Sequence, residues 1–94
     1  MDEFTVRVDR SRDPITAVIT GELDMANVEK LVAELEGITG PVCFDCSRLT
    51  FVDSSGLAVF AKLDRNGGAT LQHVNGHLLR VLEVVGLDRL VTES

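Results

Sequence analysis

Phe51-Val52-Asp53-Ser54-Ser55-Gly56-Leu57 is the stretch that decides how this chain folds. An acid and two hydroxyls stand between a β-rich segment and an amphipathic one. Asp and Ser accept hydrogen bonds from the unpaired N–H groups of a first helical turn, so the run predicts a helix start. That helix is expected from about Ser55 to Asp64, ended by Asn66-Gly67-Gly68, residues that tolerate positive φ. The dipole at such a helix start favours negative charge. A phosphate on Ser54 is therefore expected to meet free donors and to change how the surface docks.

Upstream of this run, Val42 to Cys46 alternates as a strand, and Ser47 to Val52 reads as a connector. Phe4 to Val8 alternates apolar and polar, Ser11-Arg12-Asp13-Pro14 is turn chemistry, and Ile15 to Thr20 is β-branched. These two strands are expected to be antiparallel. Asp24 is predicted to cap a helix running through Glu36, with Met25, Val28, Leu31, Val32 and Leu35 on one face. Gly37 and Gly40-Pro41 end it.

Downstream, Ala69 to Val74 reads as a strand and Asn75 as the cap of a helix from Gly76 to Val85. Gly86 closes that helix, and Leu90-Val91-Thr92 can add a short edge strand. The order β-β-α-β-α-β-α-(β) predicts one α/β domain over residues 1–94, a mixed sheet of four to five strands with about three helices packed on it. Right-handed crossovers then put Ser54 at the carboxyl end of a central strand, where open α/β sheets carry function.

Composition narrows the function. The net charge of -6, with nine Lys and Arg against 15 Asp and Glu, argues against nucleic acid. No apolar run approaches the ~20 residues that span a bilayer. The acidic start Met1-Asp2-Glu3-Phe4 lacks a signal segment, so a cytoplasmic location without direct membrane contact is expected. Cys43 and Cys46 have C-x-x-C spacing, but on a strand they point to opposite faces ~10 Å apart. That exceeds disulfide reach, so two reduced cysteines are expected.

His73 and His77 are isolated, no G-x-S-x-G elbow supports a serine hydrolase, and no Walker-type loop supports nucleotide binding. The reading is a binding module that is not an enzyme and has no cofactor or metal. Leu57, Val59, Phe60, Ala61 and Leu63 cover about half of the helix circumference, more than a helix at the rim of a small sheet buries. The excess is predicted to dock a partner. Asp53 can orient the Ser54 hydroxyl or stabilise the turn, and Ser55 can cap the helix. Gly56 leaves backbone room for a close partner or relieves crowding. Arg48 can pair with phosphate or with Asp45.

In this element order the chain resembles a STAS domain, the fold of bacterial anti-sigma factor antagonists and of the cytoplasmic tails of sulfate transporters. Thr20-Gly21-Glu22-Leu23-Asp24 is similar to the family's T-G-E-L-D signature, and Asp53-Ser54-Ser55-Gly56-Leu57 to its D-S-S-G-L phosphorylation loop. Phe44-Asp45-Cys46-Ser47-Arg48-Leu49, Asn66-Gly67-Gly68 and Gly86-Leu87 extend the likeness over nearly the whole chain. The resemblance implies phosphorylation at Ser54 by a partner kinase that is also the anti-sigma factor. The unphosphorylated antagonist binds that partner and releases a sigma factor, and a phosphatase resets the switch.

It also implies a partner surface that includes the loop with Glu22 and Asp24. Together with the helix start, the expected contact residues are Glu22, Asp24, Asp53, Ser55, Gly56, Leu57 and Phe60. The alternative that the resemblance implies is a non-catalytic subunit that binds the ATPase of a lipid-trafficking ABC transporter, with no switch at Ser54.

Overall fold

The computed structural model describes residues 3–93. Strand β1 (Thr5–Asp9) pairs antiparallel with β2 (Ile15–Leu23). From there every pairing is parallel: β2 with β3 (Val42–Val52), β3 with β4 (Ala69–Gln72), and β4 with β5 (Val91–Glu93). The sheet order β1-β2-β3-β4-β5 follows the sequence order. Helices α1 (Val28–Glu34), α2 (Ser54–Asn66) and α3 (Gly76–Val85) make the three crossovers. A 3-10 turn at Asp88–Leu90 leads into β5.

Right-handed crossovers between successive neighbours all fall on one side of a sheet. The burial agrees. Ala17, Ile19, Phe44 and Leu71 are sealed in one core with Leu31, Phe60 and Leu82 from the three helices. Thr5, Arg7, Asp9, Ser47 and Arg48 stay exposed, and Thr16, Val18, Thr20 and Asp45 are half-buried. The mixed five-stranded sheet with three helices is the expected α/β architecture.

Three boundaries differ from expectation, each for a physical reason. First, Ser47–Val52 continues β3 instead of forming a connector. Two register shifts along β2–β3 insert one extra β3 residue each, between Val18/Thr20 and Gly21/Glu22. Each bulge turns the alternation over. Inward residues then recur every three positions, at Cys46, Leu49 and Val52, while Ser47, Arg48, Thr50 and Phe51 are exposed. A period of three hides a strand from a search for a period of two.

Second, α1 begins at Val28, and its N-cap is Asn27 without a side-chain bond, not Asp24. Met25 therefore lies outside the helix and is 76% exposed, and Val32 is 54% exposed, so neither belongs to the inward face. Third, β4 ends at Gln72, because His73 takes a positive φ of 58° that leaves the strand.

The later half follows its local chemistry. Asn75 caps α3 by accepting from Leu78 N–H at 2.8 Å. Gly86 turns left-handed at φ 77°, and Leu87 N–H closes on Leu82 C=O at 2.8 Å.

Candidate functional site

The parallel pairing of β2 and β3 brings their carboxyl ends together, with Leu23 opposite Val52. The next residue, Asp53, is the N-cap of α2, in extended conformation. Its Oδ1 accepts from Ser55 N–H at 2.9 Å and from Gly56 N–H at 3.2 Å. Its Oδ2 accepts from Met25 N–H at 3.1 Å, and its own N–H donates to Leu23 C=O at 3.2 Å. One carboxylate thus fastens the β2–α1 turn to the start of α2.

Ser54 is the first residue of α2 and is exposed. It is not the cap. Of the donors expected to be free for a phosphate, the N–H groups of Ser55, Gly56 and Leu57 are already taken by Asp53, so a phosphate on Ser54 would stand beside a carboxylate. Ser55 is half-buried and its N–H belongs to the Asp53 cap. The β2–α1 turn is equally well fixed. Asn27 and Val28 N–H both donate to Asp24 C=O at 2.9 Å, and Ala26 N–H to Asp24 Oδ1 at 3.0 Å. Asn27 Nδ2 donates to Glu22 C=O at 3.0 Å.

Glu22 is exposed, but it sits in β2 opposite Phe51, not in a loop. Asp24 is half-buried and organises the turn. Leu57 is half-buried and packs against the core.

Two expected contact residues are interior. Phe60 is 0% exposed, with its ring centroid 5.4 Å from that of Phe44, so it belongs to the core and cannot touch a partner. Gly56 is buried, and a Cβ there would lie 2.8 Å from Leu23 Cγ and from Leu23 C=O. Its close approach is to β2, not to a partner.

The apolar excess of α2 lies elsewhere. Val32 and Leu35 of the α1 side and Ala58, Val59 and Leu63 of α2 line an open groove of about 430 Å³, with Glu36 and Lys62 at its rim. Periodicity alone could not separate Val59 and Leu63 from Phe60, because all three fall within one wide arc of α2.

Arg48 makes no ion pair with Asp45; among the described residues the ion pair present joins Arg89 to Asp64 at 2.8 Å. Partial burial works to raise the Asp45 pKa, but hydrogen bonds from Ser47 and the charges of His73 and Arg48 outweigh it and leave it lowered. Cys43 and Cys46 are buried free thiols, and Cys46 belongs to the core cluster while Cys43 does not. Burial pushes the Cys46 thiol up to about 12, aided by the nearby charge of Asp45. Among the described residues no cluster of three His, Cys, Asp or Glu side chains is placed to hold a metal ion. No helix among them is long and apolar enough to cross a membrane.

A family model described as "Mlab, STAS domain" matches residues 6–92. The fold is similar to that of the anti-sigma factor antagonist SpoIIAA in its unphosphorylated form, with a TM-score of 0.81, 21% identity, and 96% of this chain and 88% of that one covered. The Bacillus cell fate determinant SpoIIAA in its phosphorylated form matches with a TM-score of 0.74 and 21% identity, covering 96% and 91%. An anti-sigma factor antagonist from Mycobacterium paratuberculosis matches with a TM-score of 0.80 and 20% identity, covering 97% and 85%. No curated protein sequence matches the chain. At these identities the solved structures speak for the architecture. The family match runs from β1 to β5, and with it the chain belongs to the STAS domain family.

Proposed function

We propose that this chain is an anti-sigma factor antagonist, a non-catalytic binding module of the bacterial cytoplasm switched by phosphorylation at Ser54. The observation that carries this reading is the exposed Ser54 side chain on the first residue of α2, beside a carboxylate that already occupies the helix N-terminus. In the unphosphorylated state the partner, an anti-sigma factor with serine kinase activity, packs over a small neutral hydroxyl and releases its sigma factor. Phosphorylation adds roughly -1.5 to -2 charges. Asp53 has used the N–H groups of Ser55, Gly56 and Leu57, so that charge finds few donors there and must be desolvated for the complex to form. A phosphatase restores the hydroxyl. SpoIIAA, which shares the architecture, exists in both phosphorylated and unphosphorylated forms.

The test is incubation with the candidate kinase and ATP. One phosphate is expected on the peptide carrying Ser54, and none in Ser54→Ala. Ser54→Glu is expected to weaken the complex, while Ser54→Ala binds as the parent does. A phosphate on another residue, or equal binding by Ser54→Glu, overturns the reading.

The apolar groove between α1 and α2 favours a second reading, because it does not include Ser54. There the domain binds the ATPase of a lipid-trafficking ABC transporter constitutively. Equal capture of such an ATPase by the parent, Ser54→Ala and Ser54→Glu would decide for it.

A further inference from the structure

Strands β2 to β5 are paired in parallel, yet the helices cover one face of their sheet only. Parallel strands are ordinarily covered on both faces. Here an open hollow of about 840 Å³ lies over the second face, with Arg7, Val18, Asp45 and Arg48 in its lining. Val18 is half-buried and lies outside the core cluster.

Strand register arranges this face in rows. Arg7 pairs with Val18 and Val18 with Asp45, so one row reads cation, apolar side chain, anion. The rows beside it read Thr5, Thr20, Arg48 and Asp9, Thr16, Cys43. A two-fold axis parallel to the strands and passing over β2 lays β1 of one copy on β3 of another. Arg7 then stands opposite Asp45 of the second copy, and Asp45 opposite its Arg7. Val18 meets Val18, Arg48 faces Thr5, and Asp9 faces Cys43, so no like charges meet in these rows. Such self-complementarity is what a two-fold interface requires. Sheets packed face to face stand ~10 Å apart, which leaves room for the arginine side chains.

The charge distribution points to the same face. A net charge of -6 makes two copies repel each other over most of their surface. The hollow is the exception, because its lining carries four arginines against three carboxylates. Among the described residues neither Arg7 nor Arg48 has an ion pair within its own chain. The face spans five strands ~4.8 Å apart and about 20 Å of length, on the order of 500 Å² per copy. A standard interface takes ~800 Å² per partner, so association is reversible.

We propose that the bare sheet face is the contact of a reversible two-fold dimer of this chain, centred on Val18 against Val18 and closed by Arg7 against Asp45 in both directions. An axis parallel to the strands leaves their direction unchanged. Both copies of Ser54 therefore lie at the same end of the dimer, and α2 stays on the outer side.

The test is sedimentation equilibrium of the purified chain over a wide range of concentration. The apparent mass of the parent is expected to rise from 10.2 kDa towards twice that value. Arg7→Glu and Asp45→Arg each set like charges opposite one another, and each is expected to weaken the dimer at least about tenfold. An equimolar mixture of these two variants again opposes unlike charges at both pairs and is expected to regain the parent's association, which a loss of structure would not allow. Val18→Lys puts two ammonium groups on the axis and is expected to remain monomeric. Arg80→Glu makes the same change of net charge as Arg7→Glu but on exposed α3, and should associate as the parent does.

A parent chain that stays at 10.2 kDa at every concentration overturns the proposal. So does an equal loss in Arg80→Glu, or a mixture no stronger than its two components. If circular dichroism shows Asp45→Arg to be unfolded, Val18→Lys beside Arg80→Glu decides, and undiminished association of Val18→Lys overturns the dimer. No kinase enters this measurement, so its failure leaves the reading of Ser54 untouched.

Discussion

Asp53 Oδ2 holds the backbone N–H of Met25 at 3.1 Å while Oδ1 of the same carboxylate caps α2. The two residues are 28 positions apart, and the contact exists because β2 and β3 run parallel and end together. A side chain that caps a helix and also fastens a distant turn should show two separable losses on substitution.

Asp53→Ala removes both and is expected to cost about 2 kcal/mol, the sum of a lost cap and a lost backbone partner. Asp53→Asn can keep the cap through its carbonyl oxygen, but its NH2 then faces the Met25 N–H. It should cost about half as much. Urea unfolding reads the totals, and hydrogen exchange reads the turn. The Met25 amide should exchange faster in both variants, and the Gly56 amide faster in Asp53→Ala alone.

Gly56→Ala sets helix propensity against packing. In an open helix the change would stabilise by about 1 kcal/mol. Here the new methyl would meet Leu23 C=O at 2.8 Å and Val52 Cγ1 at 2.9 Å. One of these neighbours is backbone and cannot swing aside. We expect a net loss of about 1–3 kcal/mol, with a lower urea midpoint.

Phe60→Ala should behave as a core deletion. Phe60 is fully buried against Phe44, so a loss of about 3–5 kcal/mol is expected. An exposed contact residue would change stability by no more than about 0.5 kcal/mol. Thermal unfolding of Phe60→Ala beside Val32→Ala, 54% exposed in the groove wall, separates the two situations.

Cys46 gives the fold a sensitivity to high pH. Its thiol is raised from 9.0 to about 12, so the folded state favours the neutral form. This contribution is complete below pH 9.0, the unfolded value, and is lost as pH rises toward about 12, where the folded thiol also ionises. Within that window it should fall by up to about 1.4 kcal/mol per pH unit. Urea unfolding at several pH values should show a steeper decline in the parent than in Cys46→Val. Cys46 should also resist alkylation in the native state at neutral pH.

The sequence by itself determined the order of elements, the antiparallel start, the cap at Asn75, the stop at Gly86 and the helix that opens beside Asp53. These depend on contacts within a few residues, and such contacts leave a local trace in residue type and spacing. Tertiary structure alone decided the rest. The two bulges in β3 are set by pairing with β2, and they turn a two-residue period into the three-residue spacing of Cys46, Leu49 and Val52. Which part of α2 is sealed, at Phe60, and which part opens on a groove, at Val59 and Leu63, depends on where α1 lies. The exposure of Met25 and the second partner of Asp53 follow from the meeting of two strand ends far apart in sequence. No local pattern encodes that meeting, because the donor and the acceptor become neighbours only when the sheet closes.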